Sequence, residues 1–155
     1  MLQKQGVSYL AVAFADEGVV LRESGITMPI VVLNADDASF DVMVAHSLEP
    51  EIYSERSLAA FVREVESAGG REYPIHIKFD TGMHRLGFSK NEIGHLLDLL
   101  DGCGDTVRVA SVFTHLCVAD DPSQDEFTRL QLARFGRMSN AVAGHLPYPV
   151  LRHAE

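Results

Sequence analysis

The sequence predicts an α/β fold built on parallel strands, because strand and helix patterns alternate along it. Short runs rich in β-branched and apolar residues alternate with amphipathic helical patterns along the whole chain. Such alternation favours parallel strands that are joined by right-handed helical crossovers. A (β/α) barrel and a doubly wound sheet both satisfy the pattern. A chain of 155 residues is long enough for one domain, or for part of a larger one.

The first half of the chain supplies three candidate strands and two helices. In order, we predict a buried strand over 9–14, a helix over about 16–24, a strand over 30–33, a weaker strand over 41–46 and a helix from about 58 to 68. Gly25 follows the first helix as a stop signal. Pro50 is expected to interrupt whatever precedes it. The last helix carries apolar residues at i, i+3, i+4 and i+7, and it ends at Gly69 and Gly70.

The second half repeats the same rhythm. We predict a strand over 75–81, a helix after 89, a strand over 107–116, a helix over about 123–143 and a strand that begins at 148. Ser89 with Glu92, and Ser123 with Glu126, have the spacing of a capping box at the start of a helix. No linker or second domain separates these elements. The pattern therefore describes a single α/β unit.

The segment from Ile75 to Phe88 is the most informative part of the chain. Alternation places Ile75, Ile77 and Phe79 on one face of the strand and His76, Lys78 and Asp80 on the other. A polar row on an otherwise apolar strand needs partners or a ligand. Gly82 and Gly87 then bracket a short loop that carries Arg85. Because ligands bind at the carboxyl ends of parallel strands, this strand and loop are predicted to form part of a functional site.

Composition excludes several functions. The net charge of −9 argues against non-specific nucleic-acid binding and gives no basic surface for anionic lipids. The sequence contains neither a signal peptide nor an apolar run as long as a membrane span, so a cytoplasmic protein is expected. Cys103 and Cys117 are interpreted as reduced, structural thiols. The seven histidines form no pattern typical of a metal site.

Several segments together resemble the pyridoxal-phosphate barrel domain of alanine racemases, in order and at matching spacing over nearly the whole chain. The segments are 8–13, 16–17 with 21–26, 29–33, 76–88, 112–115, 119–120 and 131–135. The resemblance implies an incomplete cofactor-binding domain over 1–155, folded as a partial (β/α)8 barrel from about strand two to strand seven. It implies pyridoxal 5′-phosphate as cofactor, alanine as substrate, a homodimer in the intact protein, and D-alanine for peptidoglycan.

The resemblance also assigns roles to five residues. Arg85 matches an arginine aimed at the phenolic oxygen of the cofactor and at the substrate carboxylate, and Met83 matches a substrate contact. Lys78 matches a lysine that is carbamylated in many members and then holds the arginine. His115 corresponds to a supporting catalytic histidine beside the cofactor, and Leu33 to an aliphatic wall of its pocket.

Each assignment has a plainer alternative. Lys78 taken alone also suits a strand-end lysine that reaches solvent, and Arg85 a loop arginine in a weak surface ion pair. His115 also suits a satisfied core histidine. Asp80 suits a turn residue that accepts bonds from the backbone ahead of Gly82.

Two bases of the family have no counterpart in the sequence. The resemblance places the cofactor lysine on a strand before Val7 and the catalytic tyrosine in a C-terminal β domain, and it places a phosphate-binding Asn-Ser pair just after Ala154. We therefore expect this polypeptide alone to be inactive. The alternatives are a broad-specificity amino-acid racemase, a non-catalytic pyridoxal-phosphate-binding barrel, and a degenerate product with only an oligomerisation role.

Overall fold

The computed structural model describes residues 5–155 as a single sheet of parallel strands with helices between them. The strands are β1 (Leu10–Val12), β2 (Ile30–Val32), β3 (Glu49–Ile52), β4 (Tyr73–Phe79), β5 (Val107–Thr114) and β6 (Leu151–Ala154). The helices are α1 (Ala15–Glu23), α2 (Phe40–Ala45), α3 (Glu55–Ser67), α4 (Ile93–Gly102) and α5 (Asp125–His145).

The order of the strands decides between the two predicted architectures. Every strand pairs in parallel with its neighbour in the chain, in the order β1-β2-β3-β4-β5-β6. A doubly wound sheet reverses its strand order at a switch point, and this sheet does not. The sheet also curls, since residues of both β1 and β6 line one internal cavity. The described residues therefore form the partial (β/α) barrel that the resemblance implies.

The core lies between the outer face of the curled sheet and the helices. Ile75, Ile77 and Phe79 on β4 are buried there, as are Phe61 and Leu96 of the covering helices. The apolar stripes predicted for α3 and α4 are thus confirmed as core-facing. This packing fixes which face of each strand points inward, away from the helices.

The structure contradicts two predictions for residues 40–52, namely a strand over 41–46 and an interruption at Pro50. Residues 41–46 form helix α2, with Phe40 and Met43 buried at the i, i+3 spacing of a helix. Asp36 caps the preceding helical turn by accepting from Ala38 N. The alternating valines in this segment suggested a strand, but the segment is helical because a helix buries Phe40 and Met43 together. Pro50 does not interrupt an element; it lies within β3.

Two smaller predictions also need correction. Strand β1 is half-exposed rather than buried, because it lies at one edge of the described sheet. The predicted capping box at Ser123 is absent, since Asp121 accepts from Ser123 N and caps the helical turn that precedes α5. The capping box at Ser89 and Glu92 is confirmed. Cys103 and Cys117 are both free thiols.

Within the described part of the chain, no helix combines the length and apolar character that crossing a membrane requires.

Candidate functional site

The inward face of β3 and β4 carries four charged or titratable side chains that are all buried. They are Glu49 and Glu51 on β3 and His76 and Lys78 on β4. We call these four residues the inner wall. The predicted alternation along β4 is confirmed, because His76 and Lys78 share this inward face while the apolar residues of β4 pack against helices.

The inner wall consists of two matched pairs. Glu49 Oε2 lies 2.8 Å from His76 Nε2. Lys78 Nζ donates to both oxygens of Glu51, at 3.2 and 3.1 Å. The Cα partner of His76 on β3 is Glu51, so each β4 side chain reaches diagonally to the carboxylate two residues back. Buried charges require such pairing, because an isolated charge inside a protein is strongly disfavoured.

Polar contacts extend from the inner wall across β5 to β6. His76 Nδ1 and Ser111 Oγ are 2.6 Å apart, and Ser111 Oγ is 3.3 Å from His153 Nε2. Lys78 Nζ lies 5.4 Å from the centre of the Phe113 ring. The Phe113 ring also stacks on the His153 ring, with the two ring centres 4.9 Å apart. Polar and aromatic groups thus form one continuous layer inside the curl.

Burial dominates the electrostatics of this layer. It raises the pKa of Glu51 to about 7, although the charges of Lys78 and Arg85 act in the opposite direction. Burial lowers the pKa of His153 below its ordinary value. Both shifts favour the uncharged forms of these groups. The inner wall is therefore a poorly solvated site whose charge depends on neighbouring side chains.

The 80–88 loop folds back onto the end of β4. Asp80 N donates to Phe88 O at 2.9 Å, and Phe88 N donates to Lys78 O at 2.9 Å. Gly87 has a φ of +124°, and a Cβ there would lie 2.6 Å from Asp80 N. Only glycine suits such a position. The loop that carries Arg85 is consequently closed by its own backbone.

Asp80 fixes the start of this loop. Its Oδ1 accepts from Gly82 N at 2.9 Å and from His84 N at 3.0 Å. Burial raises the pKa of Asp80, but these two backbone donors and the His84 side chain together outweigh it and lower the pKa below the ordinary value. The structural interpretation of Asp80 as a turn residue is confirmed.

Helix α5 holds the loop from the other side. Gln131 Nε2 donates to Thr81 Oγ1 and to His115 O, both at 3.1 Å, and Arg134 Nη1 donates to Thr81 O at 2.7 Å. Thr81 and Thr114 are themselves joined by a hydrogen bond of 2.8 Å. The ends of β4 and β5 are thereby tied together beneath the loop.

A cavity of about 200 Å³ opens inside the curl, between the two edge strands. Leu33 and Val31 of the β2 region lie along it, together with His76, Ser111 and His153. One side is aliphatic and the other carries imidazole and hydroxyl groups. Such a lining suits a flat aromatic ligand with polar substituents.

The predicted site residues occupy four different places. Leu33 lines the cavity, and Lys78 is buried against Glu51. Arg85 is exposed on the loop, where Met83 is half-buried, and His115 is half-buried just after β5. All five residues lie in or just after β2, β4 and β5. Because these strands are parallel, their carboxyl ends lie on the same side of the sheet. Their individual roles toward a ligand stay predictions.

Sequence reasoning missed Glu49 and Glu51. The cause was the interpretation of Pro50 as an interruption, which removed β3 from the sheet. A usable signal was present: two carboxylates at i and i+2 match the i and i+2 spacing of His76 and Lys78. Side chains two apart on neighbouring strands face the same side, so the two sets were able to pair.

The fold and the site together define a class. The described residues form a partial (β/α) barrel with a cavity inside the curl and a glycine-closed loop at the carboxyl end of β4. Comparison with known proteins then identifies the family. The family described as "Alanine racemase, N-terminal domain" matches residues 1–155, and the chain belongs to it.

Relatives and solved structures agree with this membership. The chain is 38% identical to the alanine racemase of Nitratidesulfovibrio vulgaris (strain DSM 19637 / Miyazaki F) over 148 residues, covering 94% of the chain and 39% of that protein. It is 37% identical to the alanine racemase of Symbiobacterium thermophilum over 150 residues, covering 96% and 39%. The chain thus spans about 39% of the length of these relatives.

Solved structures show the same fold. The alanine racemase of Clostridium difficile 630 superposes with a TM-score of 0.88 at 28% identity, covering 99% of the chain and 42% of that protein. The alanine racemase of Bartonella henselae, solved with covalently bound pyridoxal phosphate, gives 0.80 at 21% identity, with coverage of 99% and 43%.

Proposed function

We propose that this chain forms the cofactor-facing barrel wall of an alanine racemase that uses pyridoxal 5′-phosphate to interconvert L-alanine and D-alanine. The observation that carries the proposal is the strand and loop from Lys78 to Arg85, within a chain that belongs to the family. We further propose that the intact protein is a cytoplasmic homodimer that supplies D-alanine for peptidoglycan.

The residues of the cavity fit a pyridine ring. Leu33 and Val31 offer an aliphatic surface to the face of a ring, and His153, which is exposed along the cavity, offers an imidazole to its edge. When bound, pyridoxal 5′-phosphate supplies an electron sink that makes the α-proton of an amino acid more acidic. In this proposal Leu33, Arg85 and His115 hold the cofactor, and Met83 contacts the substrate.

Arg85 has the central role among the residues of this chain. A guanidinium stays protonated and offers a fixed fork of donors, so it donates to an anionic oxygen without taking up the proton. We propose that Arg85 donates to the phenolic oxygen of the cofactor and to the substrate carboxylate. The closed backbone of the 80–88 loop supports this role, because it fixes the point from which the side chain extends.

A racemisation assay tests the proposal. The protein is expressed from its complete coding sequence and incubated with L-alanine and pyridoxal 5′-phosphate, and D-alanine is measured. We expect Arg85→Ala to lower kcat/KM by about 100-fold or more, the usual loss when one preorganised donor is removed. Arg71→Ala is the matched control, since Arg71 is an exposed arginine paired with Asp105 at the opposite end of β4.

Two results would contradict the proposal. One is a cofactor-loaded wild-type protein without racemisation of alanine, which favours a non-catalytic binding role. The other is an Arg85→Ala variant as active as the Arg71→Ala control. Equal rates on a panel of L-amino acids would instead indicate a broad-specificity racemase. Residues 1–155 alone serve as a background sample, in which we expect no D-alanine.

A further inference from the structure

Lys78 Nζ makes two contacts of a kind that favours a cation. Both oxygens of Glu51 lie within 3.2 Å of Lys78 Nζ, in a place where Glu51 is fully buried and Lys78 is nearly so. The face of the Phe113 ring lies 5.4 Å away. A carboxylate attracts an ammonium, and the face of an aromatic ring attracts cations and repels anions.

A carbamate on Lys78 conflicts with both contacts. Carbamylation joins a neutral amine to CO₂, forming an N–C bond and releasing one proton, and it leaves an anion at the end of the side chain. That anion would lie beside the Glu51 carboxylate and over the ring face. An ionised Glu51 and a carbamate at this separation in a poorly solvated site repel strongly, so a carbamate would form only if Glu51 also took up a proton.

We infer that Lys78 is held as an unmodified ammonium by Glu51. The geometry that carries this inference is the contact of both Glu51 oxygens with Lys78 Nζ inside the buried inner wall. A second observation supports it, because the diagonal pairing of Glu51 with Lys78 is repeated by Glu49 with His76.

The test measures carbamate directly. The protein from the complete coding sequence is equilibrated with ¹³C-bicarbonate, and carbamate is detected by ¹³C NMR. Carbamates are then trapped by alkylation and located by peptide mass spectrometry. We expect the Lys78 peptide of the wild-type protein to be unmodified. This first measurement needs no variant, so a folding defect in a variant does not affect it.

Variants of Glu51 supply the positive result. In Glu51→Gln the lysine loses its anionic partner, and carbamate on the Lys78 peptide should increase about tenfold or more. Glu51→Asp keeps the charge and should stay as free of carbamate as the wild type. Lys90→Arg is the matched control, because Lys90 is an exposed lysine whose loss should change nothing at the Lys78 peptide.

Two outcomes overturn the inference. One is a carbamate on Lys78 in the wild-type protein. The other is a folded Glu51→Gln variant that gains no carbamate, since the lysine is then kept unmodified by something other than Glu51. Neither outcome bears on racemisation, which is measured separately, so a failure here is distinguishable from a failure of the proposed function.

Discussion

The inner wall and the 80–88 loop meet at the end of β4 but are stabilised by opposite means. The inner wall is held by charges hidden from water, and its partners come from two strands that are 27 residues apart in sequence. The loop is held by its own backbone and by Asp80, with its charged tip in solvent. The site therefore joins a buried, charge-dependent part to an exposed part whose shape is independent of those charges.

The largest effect should follow the loss of Lys78. We expect Lys78→Met to lower the free energy of unfolding at pH 8 by about 3 kcal/mol or more, because it leaves the Glu51 charge buried and unpaired. Lys90→Met, at an exposed position, should have an effect within about 0.5 kcal/mol. Urea denaturation followed by circular dichroism measures both.

A double substitution sharpens the same comparison. Glu51→Leu combined with Lys78→Met replaces the buried pair by apolar side chains, and this exchange is often neutral or stabilising. We expect the double variant to be more stable than Lys78→Met alone. The free energy of unfolding of the double variant could instead fall by the sum of the losses of Glu51→Leu and Lys78→Met. That result would show that Glu51 and Lys78 do not act as a coupled pair.

The second prediction concerns pH. The pKa of Glu51 is raised from 4.5 to about 7, so between these values the folded protein binds a proton that the unfolded chain has lost. Stability from this group is therefore highest below pH 4.5 and falls by about 3 kcal/mol as pH rises to 7. Glu51→Gln should remove this fall, and Glu23→Gln, at an exposed glutamate of α1, should retain it.

The measurement compares urea midpoints of the three proteins at pH 5 and pH 8. Comparing variants isolates Glu51 from other titrating groups, among them Asp80 and His153, whose lowered pKa values have the opposite linkage. Parallel pH profiles for Glu51→Gln and the wild type would contradict a poorly solvated carboxyl at this position.

The contrast between the two regions also explains what the sequence predicted. The loop was recognisable because its signals are local: alternation up to Phe79, then Asp80, Gly82 and Gly87 at turn positions. The barrel was recognisable from the strand and helix rhythm together with the family resemblance. The inner wall was not, because a buried glutamate is intelligible only when its partner on the next strand is known.

Helix α2 shows the same limit at the level of secondary structure. Val42 and Val44 alternate with other residues as in a strand, yet Phe40 and Met43 are the side chains that reach the core. A segment of six residues can fit both the strand period of two and the helix period of about 3.6. The surface that packs against the segment then decides which of the two it adopts. Tertiary packing decided this, and local propensity did not.

The third prediction concerns Gly87→Ala, which should disrupt the 80–88 loop and leave the inner wall unchanged. Gly87→Ala places a Cβ 2.6 Å from Asp80 N and 2.7 Å from Phe79 C, in a backbone conformation with φ of +124°. We expect a loss of about 2 kcal/mol and a weaker hydrogen-exchange protection of Asp80 N. Gly94→Ala is the control, since Gly94 lies in α4 with open space around it and should become more stable by about 0.5 kcal/mol.

The smallest effect should come from Asp80. Asp80→Ala removes the acceptor for Gly82 N and His84 N, and we expect it to lower the free energy of unfolding by about 1 kcal/mol at pH 7. Asp80→Asn keeps an oxygen acceptor at the same place and should lose less. Because the pKa of Asp80 is lowered, its contribution is complete above the ordinary pKa and disappears as pH falls through the lowered value. If Asp80→Asn is as unstable as Asp80→Ala at pH 7, then the charge holds the loop. The acceptor geometry alone is then insufficient, and the loop resembles the inner wall more than its exposure indicates.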